Sequence, residues 1–487
     1  MLELSFPVQP RLKISRHTTA FSGQFKSGKD KTASKIPTRG RHPVNQIISG
    51  YIKRLRVYIQ VITGSRSGSH FSGNRPIELS KLSPNYQKTQ KMSLAGKLRR
   101  IALDRQGLLR TDSFGRGKQA TLRAIEHLGY VQIDTIAVVE RAHHHVLWSR
   151  VANYRPGFLE QLVKQRKLFE YWFHAAAWLP MRDYRFALPR MAEFKGERDW
   201  FALCDQKLMR HVVERIECEG PLRARDFEDT RQSKTGWWDW KPAKQALELL
   251  FMQGELMVSR REGFQKVYDL PQRVLPDWVD TSHPDIDEYA GHLIETTLRA
   301  HGFATLKSMT YLRKGQKLRD AVSEQLRRRM EADALTSLDL GDRDTIYLDP
   351  ELLQARAPRS HARLRILSPF DNAIIQRQRG RDIFSYHYQI ECYVPQAKRE
   401  YGYFCLPLMY RDGFVGRIDC KAHRTEKCLE LKSLHLERQV DEDFVDAFCQ
   451  TLASFAAFNG CEQITTGYSN PGDLASRIQS RLPTFTI

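Results

Sequence analysis

No stretch of the 487-residue sequence approaches the run of about 18 apolar residues that a membrane-spanning helix needs. No secretory-type apolar core follows Met1. The eight cysteines are scattered, with no CxxC pair among them, which removes zinc ribbons and disulfide frameworks and fits a reducing cytoplasm. Acidic residues are nearly missing from the first 91 positions, which hold 17 Lys/Arg against 3 Asp/Glu. A complete phosphate-binding loop is missing too. GQFKSGKD (23–30) lacks the Ser/Thr after Lys29 and has neither a strand before it nor a helix after it.

What is present is a globular composition, 41% hydrophobic and 27% charged, with a formal net charge of +21. That sign and size point to polyanionic partners, nucleic acid first and an anionic membrane surface second. Beyond residue 91 the balance is only 60 basic against 53 acidic residues, so the body of the chain is modestly basic. Three readings of 1–91 compete: a transit peptide, a disordered basic arm, or an over-extended start with translation beginning at Met92. The regular pattern that begins at Met92 favours the last.

The length allows about three or four domains, and from Met92 a pattern repeats. Its clearest copy covers 211–271. HVVERIECEG reads as a helix ending at Gly220, PLRARDFED as a short helix, and KPAKQALELLFMQ (241–253) as a third, with Gly254 as its left-handed cap. ELMVSRR and FQKVYDL then form a hairpin. Three helices and a two-stranded wing make a winged helix-turn-helix. Lys241 and Lys244 on the third helix and Arg260, Arg261 and Lys266 on the wing are its candidate DNA contacts; the competing reading is a protein-binding module or a solvated charged face. A weaker copy covers 287–349, with HLIETTLRAHG, TLKSMTYLRKG and KLRDAVSEQLRRRMEAD as helices and LTSLDL and TIYLD as a hairpin. Another covers 95–187, with KQATLRAIEHLG and FLEQLVKQR helical, VQID a short strand or loop, and LFEYWF and AAAWLP strands. From about Arg363, alternating runs such as FSYHYQIECYV, YGYFCLPLMY and GFVGRIDCKAH predict an all-β module, a small barrel or curved sheet, followed by the helix EDFVDAFCQTLASFAAFNG.

Candidate chemistry lies in GYVQIDTIAVVERAHHHVLWSRV (129–151). Gln132 and Asp134 are two apart, so on an extended segment they project to one face. An amide and a carboxylate side by side can hold a water, and the carboxylate can take its proton or stabilise a cation. Spacing alone favours a plainer reading, with Asp134 capping the helix TIAVVERAH and Gln132 bonding backbone. Three adjacent histidines, His143 to His145, point in different directions on a helix and do not suit one metal ion. GWWDW (236–240) fits core packing better than base stacking. Glu170 and His174 in EYWFH line the same cleft or are ordinary partnered polar groups; the sequence does not choose.

QIDTI, LWSRV, EYWFHAAAWLP, GWWDWKP, LSPFDNAIIQR and IECYVPQAKREYGYFCLPLMY, in that order, resemble the YcaQ/AlkZ family of winged-helix DNA glycosylases over about residues 95–470. The resemblance implies an α+β fold of three tandem winged helix-turn-helix domains forming a C-shaped surface, then a β-barrel-like domain. The layout becomes 1–91 basic segment, 92–205, 206–282 and 283–360 winged helices, and 361–487 barrel. Gln132-Ile133-Asp134 matches the family's Q-apolar-D catalytic motif, as in the YcaQ-like branch. The implied activity is hydrolysis of the N-glycosidic bond of N7-alkylated purines and unhooking of interstrand crosslinks. The implied enzyme is monofunctional and monomeric, needs no cofactor or metal, has duplex DNA as its partner and no membrane, and works in the bacterial cytoplasm at the nucleoid. The rival readings are a non-catalytic winged-helix regulator and an RNA-binding protein, which would favour single strands.

Overall fold

The computed structural model describes residues 84–481, except 112, 197–204, 229–241, 341–342 and 362; side chains are described from residue 94. GWWDW and Lys241 therefore lie outside the described residues. Helix α1 (Pro84–Arg105) leads into three successive units of helices and small sheets. In the first, α2 (Gly117–Leu128), β1 (Val131–Gln132), α3 (Ala142–Trp148) and α4 (Pro156–Lys164) precede the hairpin β2 (Leu168–Trp172) and β3 (Ala176–Pro180). The second has α5 (Gln206–Glu219), β4 (Leu222–Arg223), α6 (Pro242–Met252), β5 (Met257–Glu262) and β6 (Gln265–Asp269). The third has α7 (Ile286–His301), β7 (Phe303–Thr305), α8 (Leu306–Met309), α9 (Gln316–Glu331), β8 (Thr336–Leu338) and β9 (Ile346–Leu348).

All three sheets share one antiparallel topology, in which the strand nearest the N-terminus pairs with the last and the last with the middle one: β1-β3-β2, β4-β6-β5 and β7-β9-β8. The local chemistry explains the elements. Helix α7 starts at a capping box in which Asp285 accepts from Glu288 N and Glu288 reaches back to Asp285 N, and it ends at left-handed Gly302. Helix α2 ends at Gly129, φ 80°, where a Cβ would also run into Thr296 of α7. Only glycine satisfies both the cap and this close approach of the first and third units.

Three expected elements in these units differ, TLKSMTYLRKG being helical only over Leu306–Met309 before it turns. PLRARDFED supplies the short strand β4 and a turn of 3-10 helix at Ala224–Asp226 rather than an α-helix. TIAVVERAH is not helical: helix begins only at Ala142. The C-terminal part of the chain draws this segment out. Ala422 N donates to Val138 O (2.9 Å), Arg424 Nη1 donates to Ala137 O (3.1 Å), and Asn459 Oδ1 accepts from Glu140 N (2.6 Å). Tertiary hydrogen bonds here override a helical pattern that propensity alone makes plausible.

The C-terminal module is an open sheet, not a closed barrel. Its five strands, β10 (Leu364–Ile366), β11 (Cys405–Tyr410), β12 (Gly413–His423), β13 (Cys428–Leu436) and β14 (Gln463–Asn470), lie in sequential order. The first four are antiparallel, but β14 runs parallel to β13. A parallel neighbour needs a crossover, and α10 (Asp443–Phe458) supplies it. Phe444, Phe448, Leu452 and Phe455 of α10 pack on Leu406, Leu408, Ile418 and Leu429 of the sheet, and Val139 and Ala142 from the first unit join that core. FSYHYQIECYV forms no strand. Its alternation instead buries Tyr386 and Tyr388, whose hydroxyls donate to Gly416 O (2.9 Å) and Cys405 O (2.5 Å).

Candidate active site

Strand β1 is only two residues long, yet it fixes the site. Val131 and Gln132 pair with Trp178 and Ala177 of β3, and the ladder continues when Ile133 N donates to Ala176 O (2.8 Å). Alternation along this extended stretch directs Gln132 and Asp134 to the same side. Behind it, Asn372 of the SPFDN segment donates to Tyr130 O (3.0 Å). Next to Asn372, Asp371 forms a fully buried bidentate pair with Arg150, both bonds 2.7 Å. Arg150 also donates to Gln106 O (2.8 Å), Gln106 Oε1 (3.1 Å), Ser149 Oγ (2.9 Å) and Val146 O (3.1 Å), so every edge of the guanidinium is satisfied. Two motifs more than 200 positions apart thus meet in one buried clamp that carries the site strand.

Gln132 is buried, and its Oε1 lies 3.0 Å from His174 Nε2 at the tip of the β2–β3 hairpin. Burial pushes the His174 imidazole down to about 4, with Arg313 adding in the same direction. The ring is therefore neutral at ordinary pH. With Gln132 offering its carbonyl, the proton sits on Nε2, and the Gln132 NH2 group is not used in this bond. Tyr130 stacks on Phe173 at 4.2 Å and meets His174 edge-on at 5.2 Å, which fixes the ring.

Asp134 is half-buried. Its Oδ1 accepts from Ile136 N at 2.7 Å, closing an Asx turn rather than capping a helix. Burial pushes its carboxyl up to about 6, and the Ile136 N–H only partly opposes this. The group is ionised at neutral pH but more basic than an ordinary aspartate. Cys392 from the C-terminal module stands close by: burial and then the Asp134 charge push its thiol up to about 11. The segment thus carries an amide held by His174 and a basic carboxylate, side-chain types able to grip and deprotonate one water.

The other residues singled out from the sequence gather elsewhere. Glu170 does not line the cleft. It is buried, and Arg261 of β5 grips both its oxygens at 2.7 Å, with Lys266 of β6 at 3.8 Å. Burial alone would raise this carboxyl, but the two cations bring it below the usual carboxylate range. Lys266 also pairs with Glu248 at 2.8 Å and lies over the Phe251 ring. Arg261 and Lys266 are consequently ties between the first and second units, not outward-facing cations. The hairpin tip is docked as well, with Phe264 under the Arg141 and Arg261 guanidiniums at 4.2 and 4.4 Å. Arg260 does face solvent, paired with Glu262 at 2.8 Å; Lys244 lies half-buried on α6.

The three histidines have different partners: His144 Nδ1 meets Tyr154 OH (2.7 Å), His145 Nε2 meets Ile366 O (2.9 Å), and the His143 ring packs between Phe264 and the His144 ring, the latter at 4.2 Å. Among the described residues no group of three or more His, Cys, Asp or Glu is placed to hold a metal ion. No described helix is long and apolar enough to cross a membrane.

A family model described as "DNA glycosylase AlkZ-like" matches residues 125–458, a span that includes the Gln132–Asp134 strand, His174 and the Arg150–Asp371 clamp. This chain belongs to the AlkZ-like DNA glycosylase family. Among solved structures, the Streptomyces sahachiroi DNA glycosylase AlkZ is similar in fold, with a TM-score of 0.53 at 17% identity over 76% of this chain and 98% of that one. The family is one of DNA glycosylases, so DNA is the substrate and DNA repair the setting. Tyr130, Arg313, Cys392 and Tyr311, whose ring meets His174 edge-on, were not legible as site residues. They arrive from three separate parts of the chain, and only Cys392 sits within one of the family-like motifs, IECYVPQAKREYGYFCLPLMY.

Proposed function

We propose that this enzyme hydrolyses the N-glycosidic bond of N7-alkylated purines in duplex DNA, and unhooks crosslinks joined through that nitrogen. It acts as a monofunctional monomer built on three tandem winged-helix units. The single observation that carries the reading is the raised carboxyl of Asp134 beside an amide whose orientation a neutral histidine fixes. An N7-alkylated purine carries a formal positive charge and is already a good leaving group. When the C1′–N9 bond breaks, its electron pair neutralises the departing base, and no general acid is required. The remaining tasks are to stabilise a cation-like sugar and to deliver water to C1′. Gln132 donates a hydrogen bond to the water oxygen; Asp134 faces the developing charge and accepts the water's proton as the C1′–O bond forms. Positioned electrostatics contribute roughly 3–4 kcal/mol per group and general-base help about 10²–10⁴-fold. That is enough for a cationic base and too little for a neutral one.

The test is a duplex carrying one N7-methylguanine, with chromatography of the released base and gel analysis of the strand. Free N7-methylguanine, with strand scission only after alkali, is the expected result. Borohydride trapping of a protein–DNA adduct, or release of undamaged guanine at a comparable rate, would contradict it.

A further inference from the structure

The turn between α8 and α9 holds a residue that the reaction above leaves unused. Leu312 is 67% exposed, and its backbone lies in the left-handed region at φ 55°. An L-residue is disfavoured there because its Cβ crowds the backbone, and an exposed leucine gains nothing from burial. Both neighbours, in contrast, are anchored. The Tyr311 ring meets His174 edge-on at 5.5 Å. The Arg313 guanidinium lies 4.6 Å over the Phe173 ring, and its backbone N closes the turn on Thr310 O at 3.0 Å. Anchors on either side hold the turn against the β2–β3 tip and leave the leucine projecting. Leu312 and His174 line one cleft of about 160 Å³, and His174 is the residue that holds Gln132. The following stretch, RKGQKLR (313–319), has four basic residues and no acidic one; Lys314, Lys317 and Arg319 are exposed.

We propose that Leu312 is a wedge that enters the base stack of duplex DNA beside the nucleotide whose glycosidic bond is cut. The proposal rests on the glycosylase reading above. Apolar side chains inserted between base steps unstack and kink a duplex, and flanking cations hold the phosphates that set the register. A cationic flank fits a polyanion better than an apolar protein surface. Opening the step next to the lesion brings its C1′ toward Gln132 and Asp134 without a deep pocket for the base. Backbone strain that the surrounding anchors impose is the kind kept where function needs it.

The experiment uses the full chain and a duplex with 2-aminopurine next to a 2′-fluoro N7-methylguanine nucleotide, whose glycosidic bond resists hydrolysis, so that fluorescence reports unstacking on binding. Wild type raises the fluorescence. Leu312→Gly reduces the rise to near background and slows single-turnover release from a cleavable duplex by roughly 10–100-fold. Its Tm is unchanged or higher, because glycine accepts the left-handed conformation. Leu312→Met keeps the signal. Wild-type fluorescence and rate in Leu312→Gly, no rise with wild type, or a lowered Tm in Leu312→Gly would each overturn the proposal. A fluorescence rise without base release from the cleavable duplex would sink the glycosylase reading and leave the wedge standing.

Discussion

At Asp134 the needs of the fold and of the proposed chemistry oppose each other. Burial holds the carboxyl up at about 6, whereas an unfolded aspartate ionises near 4. The unfolded chain therefore releases its proton first as pH rises. Asp134's contribution to stability is full below about pH 4, falls as pH climbs to about 6, and stays lower above it. Asp134→Asn retains an acceptor for Ile136 N and removes the charge. Thermal denaturation at pH 7.5 should show the variant more stable by about 1–2 kcal/mol, with the difference gone near pH 4. Equal stability at both pH values would mean that the carboxyl is not held up. The residue pair itself was visible in the sequence, but its plain reading as a helix cap was not excluded there. What decides against that cap is the Asx turn to Ile136 and the bond from His174 to Gln132, which joins positions 42 apart.

Among the elements, most of the longer helices and the hairpin strands of the three units followed from periodicity and caps because their causes are local. The corrections at TIAVV and in the C-terminal sheet share one cause, which is long-range interaction. TIAVV is extended because Val138 pairs with Ala422, and the C-terminal sheet stays open because α10 returns β14 parallel to β13. Charge pairing was only partly legible. Glu170, left open as cleft-lining or an ordinary partnered group, is the partnered group, and Arg261 and Lys266, read as DNA contacts, neutralise it at a unit boundary. The Arg150–Asp371 clamp is the strongest such tie, and removing one partner leaves a buried charge uncompensated. Arg150→Ala should cost about 3–5 kcal/mol in denaturant unfolding. Adding Asp371→Leu to it should cost less than the sum of the two single changes. Additive losses would show that the two side chains do not act as a unit.

For the molecule as a whole, the net charge of +21 overstates what the body offers to DNA. Residues 1–91 carry most of it, and Arg261 and Lys266 are internally paired. Duplex affinity should therefore be less salt-dependent in a chain lacking 1–91, with the log–log slope shallower by about 0.9 for every phosphate those residues neutralise. Single-turnover base release at saturating protein should remain unchanged; binding isotherms across a salt series check the first part and quench assays the second.

The proposed catalytic pairing of Gln132 with Asp134 is tested most directly by the pH–rate profile of N7-methylguanine release from duplex DNA under single-turnover conditions. The wild-type rate should rise through an apparent pKa of about 6, set by Asp134, and level off above pH 7. Asp134→Asn should lose that limb and fall by about 10²–10⁴-fold, with Gln132→Ala slower at every pH but keeping the limb. An Asp134→Asn variant with the wild-type rate and the same rise near pH 6 would contradict the assignment.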